Sequence, residues 1–164
     1  MVHKPIIEKT ESEQKISIFF RRIHTAEGVV VIKGTPKEVI EEQYNFWRDK
    51  LRKLEDKEVL IRALKWWRRG SLDDDKVDKF IHYFIVLELL ASKYSQRNIE
   101  KFCSEYGIKY KPDERCSLKD VRNKLIHDIS EGKDVAEEWA RKFADTLGYE
   151  IFQAIKKIIE KTCN

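Results

Sequence analysis

Beyond residue 34, apolar residues recur every three or four positions, the spacing of α-helices that bury one face. Thr35 caps the first predicted helix and is followed by a proline and, three residues after the cap, by Glu38. That helix is predicted to run to about Leu54. A second is predicted from Lys57 to Arg69, with Gly70 as its stop. The pattern therefore predicts two successive amphipathic helices at the start of this part of the chain.

The third predicted helix opens at Ser71 to Asp74 and contains the most apolar stretch of the chain, FIHYFIVLELLA from Phe80 to Ala91. A helix that is apolar on nearly all sides lies at the centre of a bundle, or packs on its own helices and on a second subunit. Shorter helices are predicted from Asn98 to Tyr106, before Gly107, and from a capping signal at Ser117 to near Gly132.

The last helix is predicted from Asp134 toward Lys161, with Gly148 as a candidate kink. Its apolar residues at core spacing are Val135, Trp139, Phe143, Leu147, Phe152, Ile155, Ile158 and Ile159. The pattern as a whole predicts a mainly α protein, in which residues 35–164 form a helical bundle of five or six helices.

Residues 1–34 are predicted to form an N-terminal tail and a small β-hairpin. Residues 15–25 read KISIFFRRIHT and residues 28–34 read GVVVIKG, two β-rich runs around a short turn. A lone hairpin is not stable in water, so it should pack on the helices or pair with a partner's sheet at residues 29–32. Arg21, Arg22 and His24 are interpreted as a solvated strand face.

The composition indicates in which cellular compartment the protein acts and which classes of partner it binds. The chain has 164 residues, with 33 Lys and Arg against 29 Asp and Glu. Three cysteines without a C-x-x-C pair suggest neither a disulfide framework nor a zinc site, and predict a reducing cytoplasm. No apolar run is long enough for a membrane helix or a secretory signal, which predicts a chain with no membrane partner. The net charge of +4 is too small to indicate broad phosphate binding.

The predicted helix after Ser117 carries the best candidates for chemistry. Asn123 and His127 are four residues apart on one face, whereas Arg122 and His127 are about 140° apart on a helical wheel. Arg122 and His127 should therefore share a ligand only across a groove or with a second copy of the helix. His127 is the best candidate for proton transfer. The alternative is an arginine bound to a buried carboxylate and a histidine on a solvated face.

Glu88 lies inside the run FIVLELLA, where its helical neighbours are apolar. A buried glutamate needs a cation, and Arg122 is the basic residue predicted at the edge of an apolar face. A contact between Glu88 and Arg122 is therefore a hypothesis. The alternative is that Glu88 emerges at a narrow polar edge.

The segment Trp66-Trp67-Arg68-Arg69 places aromatic rings beside guanidinium groups, which suits stacking on bases and contacts with phosphates. The alternative is one core tryptophan followed by a basic helix end. Phosphate-binding glycine loops, metal-spaced Cys and His sets, and serine-nucleophile motifs are all absent from the sequence. Any catalysis is therefore expected to be acid–base chemistry without metal or cofactor.

The run R-N-K-L-I-H from Arg122 to His127 resembles the R-x4-6-H motif of the HEPN superfamily, including the polar residue after the arginine. The upstream apolar run with its embedded Glu88 is similar to an earlier core helix of that family. The likeness covers about residues 73–161 and is greatest to the Apea-like branch. It implies an HEPN-like helical bundle that forms a homodimer with two motif helices facing each other.

The resemblance also implies a function, that of a metal-independent endoribonuclease of a prokaryotic defence or toxin–antitoxin system. His127 would be the general acid or base, Arg122 would stabilise charge on the phosphoryl oxygens, Asn123 would orient groups, and Glu88 would hold Arg122. A neutralising antitoxin protein is a further implied partner. The alternative is a non-catalytic HEPN-type module that binds nucleic acid or protein. Basic groups expected to hold RNA are Arg68, Arg69 and Lys124.

Overall fold

The computed structural model describes residues 36–54, 57–127 and 133–163, and these form six α-helices. No β-strand occurs in those three ranges, which confirms the mainly α prediction. The predicted N-terminal hairpin lies outside the described residues. The helices are α1 (Lys37–Leu51), α2 (Glu58–Leu72), α3 (Lys76–Tyr94), α4 (Ile99–Tyr106), α5 (Leu118–His127) and α6 (Lys133–Cys163).

Helix α3 is the central element, packing on α2, α4, α5 and α6. Its buried residues include Phe80, Phe84 and Leu87, so apolar side chains on several sides of this helix are removed from water. Trp67 of α2 stacks on Phe152 of α6 with ring centroids 4.3 Å apart. The core therefore runs between α2, α3 and α6, and α5 lies at its edge against α3 and α6.

Helix α2 extends past the predicted stop at Gly70 and ends at Leu72. Gly70 is buried inside the helix, and a Cβ there would lie 2.9 Å from Cε1 of Tyr83. The glycine thus permits a close approach of α2 and α3 and does not end the helix. The predicted opening of α3 at Ser71 to Asp74 is also wrong, because Asp75 is the cap and accepts from the backbone N–H of Val77 and Asp78.

Helix α6 is unbroken across Gly148. A Cβ at Gly148 would lie 2.3 Å from Cζ of Tyr83, and Trp67 Nε1 donates to the Gly148 carbonyl over 3.0 Å. Gly148 therefore makes room for a ring of α3. Among the residues predicted for the core of α6, Val135 is 53% exposed, whereas Leu147 is buried.

Candidate functional site

Helix α5 begins at a reciprocal cap. The backbone N–H of Ser117 donates to Asp120 Oδ2 over 2.9 Å, and the backbone N–H of Asp120 donates to Ser117 Oγ over 3.2 Å. Ser117 Oγ donates to the same carboxylate over 2.7 Å, and these bonds lower the pKa of Asp120. The predicted capping signal at Ser117 is therefore confirmed, and it fixes the start of the helix that carries the candidate residues.

The packing of α5 determines which of its residues reach solvent. Leu118 and Val121 are buried, and the helix lies against α3 and α6. Arg122 and Asn123 are half-buried beside this apolar face, and His127, the last residue of α5, is exposed. The three candidate residues consequently lie at the boundary between the core and solvent.

Arg122 is the centre of a polar cluster. Its Nη1 donates to Asn123 Oδ1 over 3.2 Å and lies 3.5 Å from His127 Nε2. Its Nη2 lies 3.6 Å from Glu88 Oε1 on α3, and its Cζ is 5.8 Å from the centroid of the Phe84 ring. We call Glu88, Arg122, Asn123 and His127 the Arg122 cluster.

Arg122 and His127 approach to 3.5 Å within one chain, although their Cβ directions are about 140° apart on the helical wheel. A wheel records the direction of each Cβ, whereas the long arginine side chain lies along the helix surface and reaches the imidazole. A second copy of α5 is therefore not needed to place the cation beside the histidine.

Arg122 Nη1 and His127 Nε2 lie 3.5 Å apart, at the outer limit of a hydrogen bond. A guanidinium has donors only, so Nε2 is the acceptor in any hydrogen bond between the two side chains. The arrangement places a cation directly beside an imidazole at the surface of α5.

Glu88 is in contact with Arg122 but is not buried. Its side chain is 44% exposed, whereas that of Arg122 is 27% exposed. The expectation of a buried carboxylate is therefore wrong, and the alternative of a polar edge describes Glu88 correctly. Phe84 and Leu87 face the core, and the side of α3 that carries Glu88 meets the polar margin of α5.

The basic residues predicted to hold RNA differ in their availability. Arg68 forms a bidentate ion pair with Glu41 of α1, in which Nε donates over 2.8 Å and Nη2 donates to Oε1. This pairing lowers the pKa of Glu41 and raises that of Arg68. Arg69 is exposed and lies over the Trp66 ring, 5.3 Å from its centroid, while Trp67 is in the core.

The Arg122 cluster stands apart from the two arginines of α2. No contact joins Arg68 or Arg69 to the cluster in the part of the chain that the structure describes. Lys124 is exposed on α5, and no ion pair is found for it within the described ranges. Of the three basic residues predicted to contact RNA, Lys124 is the one on the same helix as His127, three residues before it.

A contact that the sequence did not reveal joins α3 to Asp73, the residue after α2, and the buried Nδ1 of His82 makes no hydrogen bond to the described residues. His82 Nδ1 is 3.4 Å from Asp73 Oδ2, and its ring lies 5.4 Å from that of Trp66. Burial lowers the pKa of His82, and the nearby Asp73 carboxylate partly opposes this. The side chain of His82 is 16% exposed, so this histidine is largely enclosed.

A second feature missed in the sequence is an open polar pocket of about 350 Å³ between the end of α3 and the start of α5. Gln96 and Arg97 adopt left-handed backbone conformations, with φ of 51° and 67°. The backbone N–H of Arg97 bonds to the Ala91 carbonyl over 2.9 Å and so caps α3. A glycine is usual at such a position, and its absence removed the sequence signal for this turn.

Comparison of the chain with protein-family models, with curated proteins and with solved structures returned no match. Within the described ranges, no group of three His, Cys, Asp or Glu residues is arranged to hold a metal ion. None of the six helices described here is both long enough and apolar enough to cross a membrane.

Proposed function

We propose that this chain is a metal-independent endoribonuclease of the HEPN type and that the Arg122 cluster is its active site. The observation that carries the proposal is the 3.5 Å approach of Arg122 Nη1 to His127 Nε2. One cation and one proton acceptor then lie side by side on an accessible surface. The R-x4-6-H pattern of residues 122–127 supplies the resemblance on which the choice of RNA rests.

RNA carries its own nucleophile, so the chemistry needs only proton transfer and charge stabilisation. His127 takes the proton of a ribose 2′-hydroxyl, and the 2′-oxygen attacks the adjacent phosphorus. The bond from phosphorus to the 5′-oxygen breaks, leaving a 2′,3′-cyclic phosphate. The departing 5′-oxygen takes up a proton from water or from the protonated His127 of a second copy.

Arg122 binds the phosphoryl oxygens, on which negative charge develops during the attack. Glu88 and Asn123 are positioning residues, because both contact the Arg122 guanidinium. This division of roles suits their exposure, since the half-buried arginine is held from two sides while the exposed histidine faces solvent.

A homodimer is part of this proposal. Ile126, next to His127, is 47% exposed, and Val135 near the start of α6 is 53% exposed. In the proposed dimer a second copy would cover Ile126, which lies on the motif helix next to His127 in the chain. Action in the cytoplasm within a defence or toxin–antitoxin system, with a neutralising antitoxin protein, follows from the same resemblance.

The test is cleavage of RNA in the presence of EDTA by the wild-type chain, Arg122→Ala and His127→Ala. We expect each variant to lose about 100-fold or more in rate, as for loss of a general base or of a charge-stabilising group. Arg62→Ala, which removes an exposed arginine of α2, is the matched control. Products should end in a 2′,3′-cyclic phosphate, and cleavage unchanged in both variants would refute the assignment.

The ion pair of Arg122 with Glu88 also suits the second candidate, a non-catalytic HEPN-type binding module. In that case the guanidinium would hold phosphate without turnover. The same experiment separates the two, because the module gives no cleavage but retains a salt-sensitive RNA complex.

A further inference from the structure

The pocket between the end of α3 and the start of α5 has features of an anion site. Arg97 after α3 and Lys119 of α5 both line it, and the other lining residues are Gln96, Asn98, Ile99, Glu100 and Tyr110. Its volume of about 350 Å³ falls at the lower end of the range for ligand sites, about 300 to 1,000 Å³. The lining is polar, which favours a charged ligand over an apolar one.

The charge of the pocket is positive. Neither Arg97 nor Lys119 forms an ion pair with any described residue, and both are exposed. Glu100 is the one carboxylate in the lining, so the lining itself carries two cations and one anion. Outside the lining, the hydrogen bonds of the helix cap and, to a smaller extent, the charge of Lys119 lower the pKa of the neighbouring Asp120 carboxyl. Burial raises the pKa of Tyr110, so its hydroxyl adds no negative charge at neutral pH.

The pocket and the Arg122 cluster share one face of α5. Lys119, Asn123 and His127 are spaced four residues apart, so they follow one another on successive turns. At 1.5 Å per residue, Lys119 and His127 are about 12 Å apart along the helix axis. A single strand lying along this face would meet both groups.

We propose that this pocket binds a backbone phosphate of the same RNA strand whose scissile phosphodiester lies at the Arg122 cluster. This inference rests on the proposed function and adds a substrate subsite to it. The pocket is open, and Lys119 in its lining lies on the same face of α5 as His127, which suits a strand that passes from one to the other. A free phosphate or a mononucleotide offers the same chemistry, and the experiment below separates these sources.

The experiment measures binding of 2′-O-methyl RNA, which lacks the nucleophile, so that affinity is measured without cleavage. The wild-type chain is compared with the double variant Arg97→Ala, Lys119→Ala and with the matched control Arg62→Ala, Lys65→Ala. The control removes the same two charges from exposed positions of α2. Circular dichroism and thermal melts of all three proteins check that the fold is unchanged.

We expect the double variant to bind a hexanucleotide about tenfold more weakly than the control does. Its slope of log K against log salt should be smaller by about 0.7 for each lost phosphate contact. A dinucleotide, which reaches only the Arg122 cluster, should bind both variants equally. The proposal would be overturned if the double variant and the control bound the hexanucleotide equally. It would also be overturned if the double variant lost as much affinity for the dinucleotide as for the hexanucleotide.

Titrations with inorganic phosphate and with a mononucleotide distinguish the ligand sources. Either compound binding as tightly as the hexanucleotide, with the same dependence on Arg97 and Lys119, would overturn the strand assignment. Failure of the proposed function has a separate signature, which is absence of RNA cleavage by the wild-type chain. Hexanucleotide binding that depends on the pocket would then show that the subsite exists in a non-catalytic module.

Discussion

Removing the charge of Glu88 should cost little folding stability. At 3.6 Å, two unit charges attract by about 1 kcal/mol in water and by about 5 kcal/mol at an effective dielectric constant of about 20. The side chains of Arg122 and Glu88 are 27% and 44% exposed, so solvent screening places the pair near the lower value. Ordering two long side chains reduces it further, and the expected coupling is below about 1 kcal/mol.

The assay is a double-mutant cycle in urea with Glu88→Gln, Arg122→Gln and the double variant. The Glu41–Arg68 pair provides a comparison, because it is bidentate and joins α1 to α2. We expect the coupling energy of Glu41 and Arg68 to be the larger of the two. A coupling of several kcal/mol for Glu88 and Arg122 would refute the reasoning, since that is the behaviour of a buried pair.

Activity provides a second readout of the Glu88 substitution. If Glu88 positions Arg122 in the proposed ribonuclease, Glu88→Gln should slow RNA cleavage about fivefold, equivalent to about 1 kcal/mol in the transition state. Arg122→Lys keeps the charge but loses the planar fork that contacts both Glu88 and Asn123. It should therefore slow cleavage more than Glu88→Gln does, while the melting temperature changes little.

Two further predictions concern the core. Gly148→Ala places a Cβ 2.3 Å from Cζ of Tyr83, so overpacking of about 1 to 3 kcal/mol should outweigh the helix-propensity gain of about 1 kcal/mol. Urea unfolding should show net destabilisation that Tyr83→Leu relieves in the double variant, and a gain in stability would contradict this. Burial lowers the pKa of His82 in the folded state, so stability should fall as pH decreases below its unfolded value of about 6.5. His82→Asn should flatten that dependence in unfolding curves between about pH 7 and pH 5, and an unchanged slope would contradict it.

The helices that the sequence predicts best are those whose ends depend on neighbouring residues. Asn98 caps α4 by accepting from the Lys101 N–H, and Ser117 caps α5, each through contacts three residues away. Gly70 and Gly148 gave misleading signals for the opposite reason. Both glycines make room for the ring of Tyr83, which belongs to another helix, and a local pattern contains no information about that contact.

In the candidate site, too, features that depend on residues near in sequence were predicted, and features that depend on contacts between helices were not. Arg122, Asn123 and His127 were identified because they share one short helical segment, and Glu88 was identified as an isolated carboxylate in an apolar run. The exposure of Glu88 could not be predicted, because it depends on how α5 lies against α3. Arg68 could not be excluded as a free cation, since its partner Glu41 is on α1.

The convergence of Arg122 and His127 in one chain changes what a dimer contributes to the proposed reaction. In that reaction a single copy would supply both a cation for the phosphate and an acceptor for the 2′-hydroxyl proton, because Arg122 and His127 lie 3.5 Å apart. The His127 that takes the 2′-hydroxyl proton cannot at the same moment donate a proton to the leaving 5′-oxygen, because one imidazole acts either as base or as acid in a single step. Water or the protonated His127 of a second copy would donate that proton, and in a dimer the exposed Ile126, next to His127 in the chain, would be part of the contact surface.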